Sequence, residues 1–128
     1  NEKIKLIEAG YIQDRNKLSE YYNAADLFIY PTRADSFGLV LLESIACGRP
    51  CITYAVGGCT DIIVNDVSGY AVTPFKPDEF ANKIISVHKN RNLLESLKSS
   101  SRKFAKENFS ISQMAKKYRE LFLNELKR

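Results

Sequence analysis

The spacing of apolar positions changes from segment to segment, which predicts alternating strands and helices. Short apolar runs of strand length occur at residues 4–9, 26–30, 51–54 and 69–72. The run at 26–30 is nearly continuous, as in a strand covered on both faces of a sheet. Between the runs, the spacing predicts helices over 15–25 and 39–47 and a short helical turn at 61–64. This alternation predicts an α/β fold, a parallel sheet with helices on both faces.

The last third of the chain has helical spacing throughout. Helices are predicted over 78–89 and 92–107, and Ser110 is placed to cap a final helix. The apolar residues of that final helix form one stripe at helical period: Ile111, Met114, Ala115, Tyr118, Leu121, Phe122 and Leu126. A stripe of this length needs a partner surface.

Composition narrows the class of protein. With 128 residues, 45% hydrophobic and 27% charged, the chain is typical of a single globular domain. It has neither a secretory signal nor a run approaching the roughly 20 apolar residues of a membrane span, so we expect a cytoplasmic protein. Because its only methionine is Met114, residue 1 is expected to lie inside a longer protein. Cys47, Cys51 and Cys59 match no zinc or redox spacing and predict reduced, mostly buried thiols.

Charge is distributed unevenly along the chain. Residues 1–88 carry 8 Lys/Arg and 11 Asp/Glu, whereas residues 89–128 carry 11 and 4. A basic tail indicates either an anionic partner, such as nucleic acid or a membrane, or the solvated side of helices. The second interpretation is favoured because the tail has no nucleic-acid reader motif. No nucleic-acid partner is predicted.

The segment from residue 31 to 50 joins a strand end, a loop and a helix, and ligands of parallel α/β sheets bind beyond such strand ends. Phe37, Gly38 and Leu39 would open the helix, so their N–H groups are expected to point out together. Such a helix start binds anions such as a diphosphate, and Gly38 would let the diphosphate approach the backbone closely.

Two acids flank this helix start. Glu43 is the only charge between residues 39 and 47 and is expected to be largely buried, about 6 Å beyond Leu39 along the helix. There it would either accept hydrogen bonds from ribose hydroxyls or cap a neighbouring loop. Asp35 alone is an ordinary acid near a helix start, but the pair separated by seven residues favours a functional interpretation. The Gly57-Gly58 loop is placed to line the same crevice, although tight turns also use Gly-Gly.

Three stretches of the chain resemble a known family: residues 30–50, 52–58 and 65–70. They are similar to the C-terminal, donor-binding domain of the group 1 glycosyltransferases, a retaining family with two facing Rossmann-like domains (the GT-B fold). The similarity extends from Gly10 into the final helix. It implies that residues 1–128 are a single donor-binding domain, truncated at its N-terminus, with a Rossmann-like fold ending in several helices.

The resemblance also implies roles for individual residues. Asp35, where the family usually has glutamate, would be catalytic and contact the transferred sugar, and Glu43 would bind the ribose of the nucleotide. The remaining donor-binding positions are Ser36, Phe37, Gly38 and Leu39 at the diphosphate and Gly10, Tyr11 and Ile12 around the base. Arg33, Asp61 and His88 receive no role, and His88 is expected at the surface. The family's basic diphosphate-binding residue and its acceptor domain are expected upstream of Asn1.

The activity implied by the resemblance is transfer of a sugar, with retention, from a UDP-, GDP- or ADP-sugar to an acceptor hydroxyl. The acceptor would be a glycan or lipid-linked glycan in polysaccharide or glycoconjugate synthesis, with the enzyme at the inner face of the membrane. No metal or other cofactor is expected. The isolated chain is expected to be inactive and to self-associate through the final helix, whose stripe in this family packs partly on the N-terminal domain.

Two alternatives belong to other classes. The chain could be a module that binds a sugar nucleotide or phosphate ligand without transferring it, or an interaction domain that uses its basic tail. An interaction domain gives no reason to place Glu43 beside an anion-binding helix start.

Overall fold

The computed structural model describes residues 4–127 and contains three strands and six helices within that range. In chain order they are α1 (Arg15–Ala24), β1 (Phe28–Tyr30), α2 (Leu39–Ala46), β2 (Cys51–Tyr54), α3 (Cys59–Ile62), β3 (Gly69–Val72), α4 (Pro77–Lys89), α5 (Arg91–Phe109) and α6 (Ile111–Glu125). The predicted bounds of β2 and β3 are confirmed, and α1, α2, α4 and α5 lie within two residues of their predicted bounds. Helix α6 begins directly after its predicted cap, Ser110. The short helix α3 begins two residues earlier than the predicted turn.

The three strands form a parallel sheet in the order β1-β2-β3, with Ile29 opposite Ile52 and Ile52 opposite Tyr70. Side chains of β2 alternate between two cores. Ile52 and Tyr54 pack with α4 and α5, and Cys51 packs with α2 and α3 on the other face. The expected parallel sheet with helices on both faces is therefore confirmed.

The strand predicted over residues 4–9 is wrong. These residues form no strand, and Ile4 and Leu6 are 98% and 82% exposed. A strand is stable only when it pairs with a neighbouring strand. In a doubly wound sheet with the strand order 3-2-1-4-5-6, two other strands lie between the third strand and the fourth. With β1, β2 and β3 as the fourth, fifth and sixth strands of that order, residues 4–9 take the place of the third strand. The third strand is adjacent to none of these three, so residues 4–9 have no strand to pair with. The expected cover of β1 on both faces is also wrong, since Ile29 is 43% exposed.

Helix α2 is fixed between the sheet and α5. Its own side chains Leu41 and Ile45 are fully buried, and the guanidinium of Arg102 on α5 donates to the Ala46 carbonyl over 3.3 Å. As predicted, the helix stops before Gly48, whose φ of +70° is left-handed and whose N–H donates to the Ile45 carbonyl over 2.9 Å. The N-terminal end of α2 is therefore held in place at the carboxyl edge of the sheet.

The chain ends in helices α4, α5 and α6, as predicted. Ser110 caps α6 by accepting the Gln113 N–H over 3.4 Å. No residue of α6 is buried within the part of the chain that the structure describes, so its apolar stripe is exposed. Of the three cysteines, all free, Cys51 and Cys59 are buried, which confirms the expectation for the thiols. Within residues 4–127, no helix has the length and apolar character needed to cross a bilayer.

Candidate functional site

Two loops meet at the carboxyl edge of the sheet, one after β1 and one after β2. The Gly58 N–H donates to the Asp35 carbonyl over 3.0 Å. A Cβ on Gly58 would lie 2.3 Å from the Ser36 carbonyl oxygen, and one on Gly57 would lie 2.0 Å from that of Asp35. The glycines are therefore needed because the loops touch backbone to backbone. This contact gives the Gly-Gly pair a role beyond an ordinary tight turn.

Asp35 lies at the centre of this contact with both carboxylate oxygens occupied. Its Oδ1 accepts the N–H groups of Phe37 and Gly38 over 3.0 and 2.7 Å, and the Tyr30 hydroxyl donates to Oδ2 over 2.9 Å. The Phe37 N–H bond, followed by those from Tyr30 and Gly38, lowers the pKa of the Asp35 carboxyl below its ordinary value. The carboxylate is therefore held ionised at the start of α2.

This arrangement changes the expected anion site. Two of the three N–H groups expected to point out together are donated to Asp35, because the positive helix start attracts the nearest carboxylate of the chain itself. Gly38 also has a different reason for being glycine. Its φ of +84° is left-handed, and a Cβ there would lie 3.0 Å from a methyl carbon of Leu41. Apart from its position at the strand end, Tyr30 carries no sequence signal that marks it as the partner of Asp35.

Glu43 is exposed, so its expected burial is wrong. It lies on the outer side of α2 with Leu39, where the Tyr22 side chain of α1 reaches it. The Tyr22 hydroxyl donates to Oε2 of Glu43 over 3.1 Å. An open pocket of about 360 Å³ surrounds this pair, lined by Arg15, Leu18, Ser19, Tyr22, Glu43 and Cys47. The structure does not support Glu43 as a buried loop cap.

The remaining sequence-predicted residues separate into two groups. Ser36, Phe37, Gly38 and Leu39 run from the Asp35 loop into the start of α2, with Glu43 one turn farther along the same helix. Gly10, Tyr11 and Ile12 precede α1 and are not packed onto this helix start: Tyr11 is 90% exposed and Gly10 faces open space. Arg33 lies over the Phe75 ring at 5.8 Å, and His88 is exposed as expected. In residues 4–127, no cluster of three or more His, Cys, Asp or Glu side chains is arranged to hold a metal ion.

Residues 3–104 match the family described as glycosyl transferases group 1. Among curated relatives, a D-inositol 3-phosphate glycosyltransferase from Nocardiopsis dassonvillei is 42% identical over 56% of this chain and 17% of its own length. An N-acetyl-alpha-D-glucosaminyl L-malate synthase from Bacillus anthracis is 28% identical over 97% of this chain and 34% of its own. The chain thus spans about a third or less of the length of these relatives.

Solved structures have the same fold. Sucrose-phosphate synthase from Thermosynechococcus elongatus superposes with a TM-score of 0.75 and 31% identity, covering 87% of this chain and 29% of its own. HepE from Anabaena, solved in complex with UDP, superposes with a TM-score of 0.75 and 23% identity, covering 82% and 29%. The parallel sheet and its helices therefore form the Rossmann-like arrangement of C-terminal GT-B domains.

Proposed function

Because the chain belongs to the group 1 glycosyltransferases, we propose that it binds the nucleotide diphosphate-sugar donor of a retaining transferase. The observation that carries the proposal is the placement of Asp35 and Glu43 at and just beyond the start of one helix. The acid pair would contact the sugar and the ribose at the two ends of a donor whose diphosphate lies at the helix start. HepE, a structural neighbour that binds UDP, supports the choice of ligand class.

Glu43 is the proposed ribose-binding residue. Its carboxylate is exposed beside an open pocket and accepts one hydrogen bond through Oε2. Ribose hydroxyls are donors, and a carboxylate has acceptor sites on both oxygens. Oε1 of Glu43 is therefore the atom proposed to accept from the ribose.

The diphosphate is proposed to take over the N–H groups that Asp35 now holds. Donor binding would exchange one anion for another at Phe37 and Gly38, with Ser36 and Leu39 on either side. The released Asp35 carboxylate would then contact the transferred sugar near its reacting carbon. The N–H groups and the helix dipole stabilise the departing diphosphate, which is electrostatic catalysis by preorganised donors.

The whole enzyme is proposed to transfer the sugar with retention to a hydroxyl of a glycan or lipid-linked glycan. This chain would be its N-terminally truncated donor-binding domain, with residues 10–12 framing the base and catalysis dependent on segments outside the chain. The free cysteines fit a reducing, cytoplasmic location, and an inner-membrane site for the reaction belongs to the same proposal. The isolated chain is proposed to bind the donor without transferring it.

Calorimetric titration with UDP, GDP and ADP tests this proposal. We expect at least one to bind, and a ligand at 100 times its dissociation constant to stabilise the chain by about 2.7 kcal/mol. Glu43→Gln should weaken binding of the nucleoside diphosphate but not of inorganic diphosphate, which has no ribose. If none of the three nucleotides binds at high concentration, the donor-binding function is wrong.

A non-catalytic binding module remains the second candidate, because the same contacts would hold a sugar nucleotide without transfer. Assays of sugar transfer with the full-length protein distinguish the two functions. Transfer of sugar from the donor that this chain binds supports the transferase. Donor binding without transfer or hydrolysis across a panel of acceptor glycans supports the module.

A further inference from the structure

Tyr22 is the side chain of α1 that reaches Glu43. Its ring lies edge-on against Phe28 of β1, with centroids 5.5 Å apart and planes at 71°. The hydroxyl projects beyond this contact to Oε2 of Glu43 at 3.1 Å and to the Val40 carbonyl at 3.4 Å. Ring packing therefore fixes where the hydroxyl can donate.

The single hydroxyl proton has two acceptors within reach, and Glu43 is the better one. Its oxygen is nearer than the Val40 carbonyl and it carries a charge, and hydrogen bonds to ionised acceptors are the stronger class. An exposed glutamate without such a bond would sample many rotamers. The bond from Tyr22 selects the rotamers in which Oε2 faces α1.

The direction of this bond is also fixed. Burial, and next the negative charge of Glu43, raise the pKa of the Tyr22 hydroxyl far above its ordinary value of 10.0. Tyr22 therefore remains a hydrogen-bond donor throughout the neutral range. Among the described residues, Arg15, the basic side chain that lines this pocket, forms no ion pair with the Glu43 carboxylate.

We propose that Tyr22 is a positioning residue for nucleotide recognition, which holds the Glu43 carboxylate by one oxygen and leaves the other for the ribose hydroxyls. This inference rests on the proposed function. It predicts that removing one phenolic oxygen, 21 positions away in sequence, weakens binding only of ligands that carry ribose hydroxyls.

The test compares UDP with 2′,3′-dideoxy-UDP by calorimetry; if the chain prefers GDP or ADP, the corresponding pair is used. Tyr22→Phe keeps the ring and its packing on Phe28. We expect it to lower the affinity for the ribose ligand about tenfold, which corresponds to about 1.4 kcal/mol, and to leave the affinity for the dideoxy ligand unchanged. Tyr21→Phe, the same chemical change at the exposed neighbouring tyrosine, should alter neither.

A double-mutant cycle provides the second readout. In a Glu43→Ala background, Tyr22→Phe should cause no further selective loss, because the side chain that it positions is gone. If Tyr22→Phe unfolds the chain, Glu43→Asp replaces it, since the shorter side chain draws the carboxylate away from the Tyr22 hydroxyl. Glu43→Asp should then lose affinity only for the ribose ligand.

The outcomes distinguish a failure of the positioning role of Tyr22 from a failure of donor binding. An equal loss for ribose and dideoxy ligands would make Tyr22 a packing residue and overturn the inference. An unchanged affinity for the ribose ligand in Tyr22→Phe would overturn it as well, while leaving donor binding intact. Failure of the wild-type chain to bind any nucleoside diphosphate would instead overturn the proposed function, and this inference with it.

Discussion

Asp35 accepts two backbone N–H groups at the start of α2 through one carboxylate oxygen and the Tyr30 hydroxyl through the other. A diphosphate at the same N–H groups would have to displace it. A glutamate at this position has one more methylene, which would carry its carboxylate beyond these short-range contacts. In the proposed donor complex, the aspartate would therefore couple the stability of the helix start to donor binding.

The pH dependence of stability tests this role of Asp35. Its lowered native pKa means that the carboxylate stabilises the fold above the ordinary value of 3.8 and that this stabilisation is lost as pH falls through the native pKa. Asp35→Asn should therefore lower Tm at pH 7, and its difference from wild type should shrink as the pH is brought from 5 to 3. Thermal unfolding followed by circular dichroism measures both.

Glu20→Gln on exposed α1 removes the same charge away from this helix start and serves as the control. A difference between wild type and Asp35→Asn that stays constant from pH 7 to pH 3 would contradict the ionised cap.

At the scale of elements, α2 has one face in the core and one at the site. Leu41 is fully buried against Ile45, Cys51 and Ile62, whereas Leu39, two residues earlier, is 64% exposed. The core face therefore fixes the helix that carries the site residues on its other side.

Leu41→Ala should lower the free energy of unfolding by about 3 kcal/mol, because it opens a cavity in a packed core. Leu39→Ala should change it by less than about 0.5 kcal/mol, since its side chain is largely in solvent. Urea denaturation of both variants measures the contrast. Similar losses for the two would mean that α2 does not pack through the Leu41 face.

Local signals made most elements predictable, and non-local contacts account for the errors. The stop of α2 at Gly48 and the cap of α6 at Ser110 depend on neighbouring residues, so the sequence indicated both. Residues 4–9 have the composition of a strand, but pairing depends on distant partners. The exposure of Glu43 likewise depends on how little of α2 is covered by α1. The spacing of Asp35 and Glu43 predicted their placement around one helix start, whereas their partners Tyr22 and Tyr30 follow only from the packed structure.

At the scale of the whole molecule, α6 leaves an apolar stripe in solvent. Tyr118 and Phe122 stack with centroids 6.3 Å apart, and an open groove of about 630 Å³ runs from this stripe to Phe37 and Leu39 at the start of α2. Exposed apolar surface of this kind favours association. The expected self-association of the chain stays a prediction.

Sedimentation equilibrium tests this prediction. The weight-average mass of the wild-type chain should rise with concentration, and Leu121→Lys should reduce that rise by placing a charge in the stripe. Arg119→Ala, an exposed change elsewhere on α6, should leave the association in place. A wild-type chain that is monomeric at every concentration would contradict the prediction.

Every role proposed for Asp35, Glu43 and Tyr22 depends on binding of a nucleoside diphosphate along the start of α2, and amide chemical-shift mapping locates that binding residue by residue. On titration with UDP, GDP or ADP, we expect the largest shifts at residues 35–39 and 43 and at Tyr22, with residues 65–86 of the polar groove beside β3 as an internal reference. Shifts concentrated in that groove, or none with any of the three nucleotides, would contradict the account.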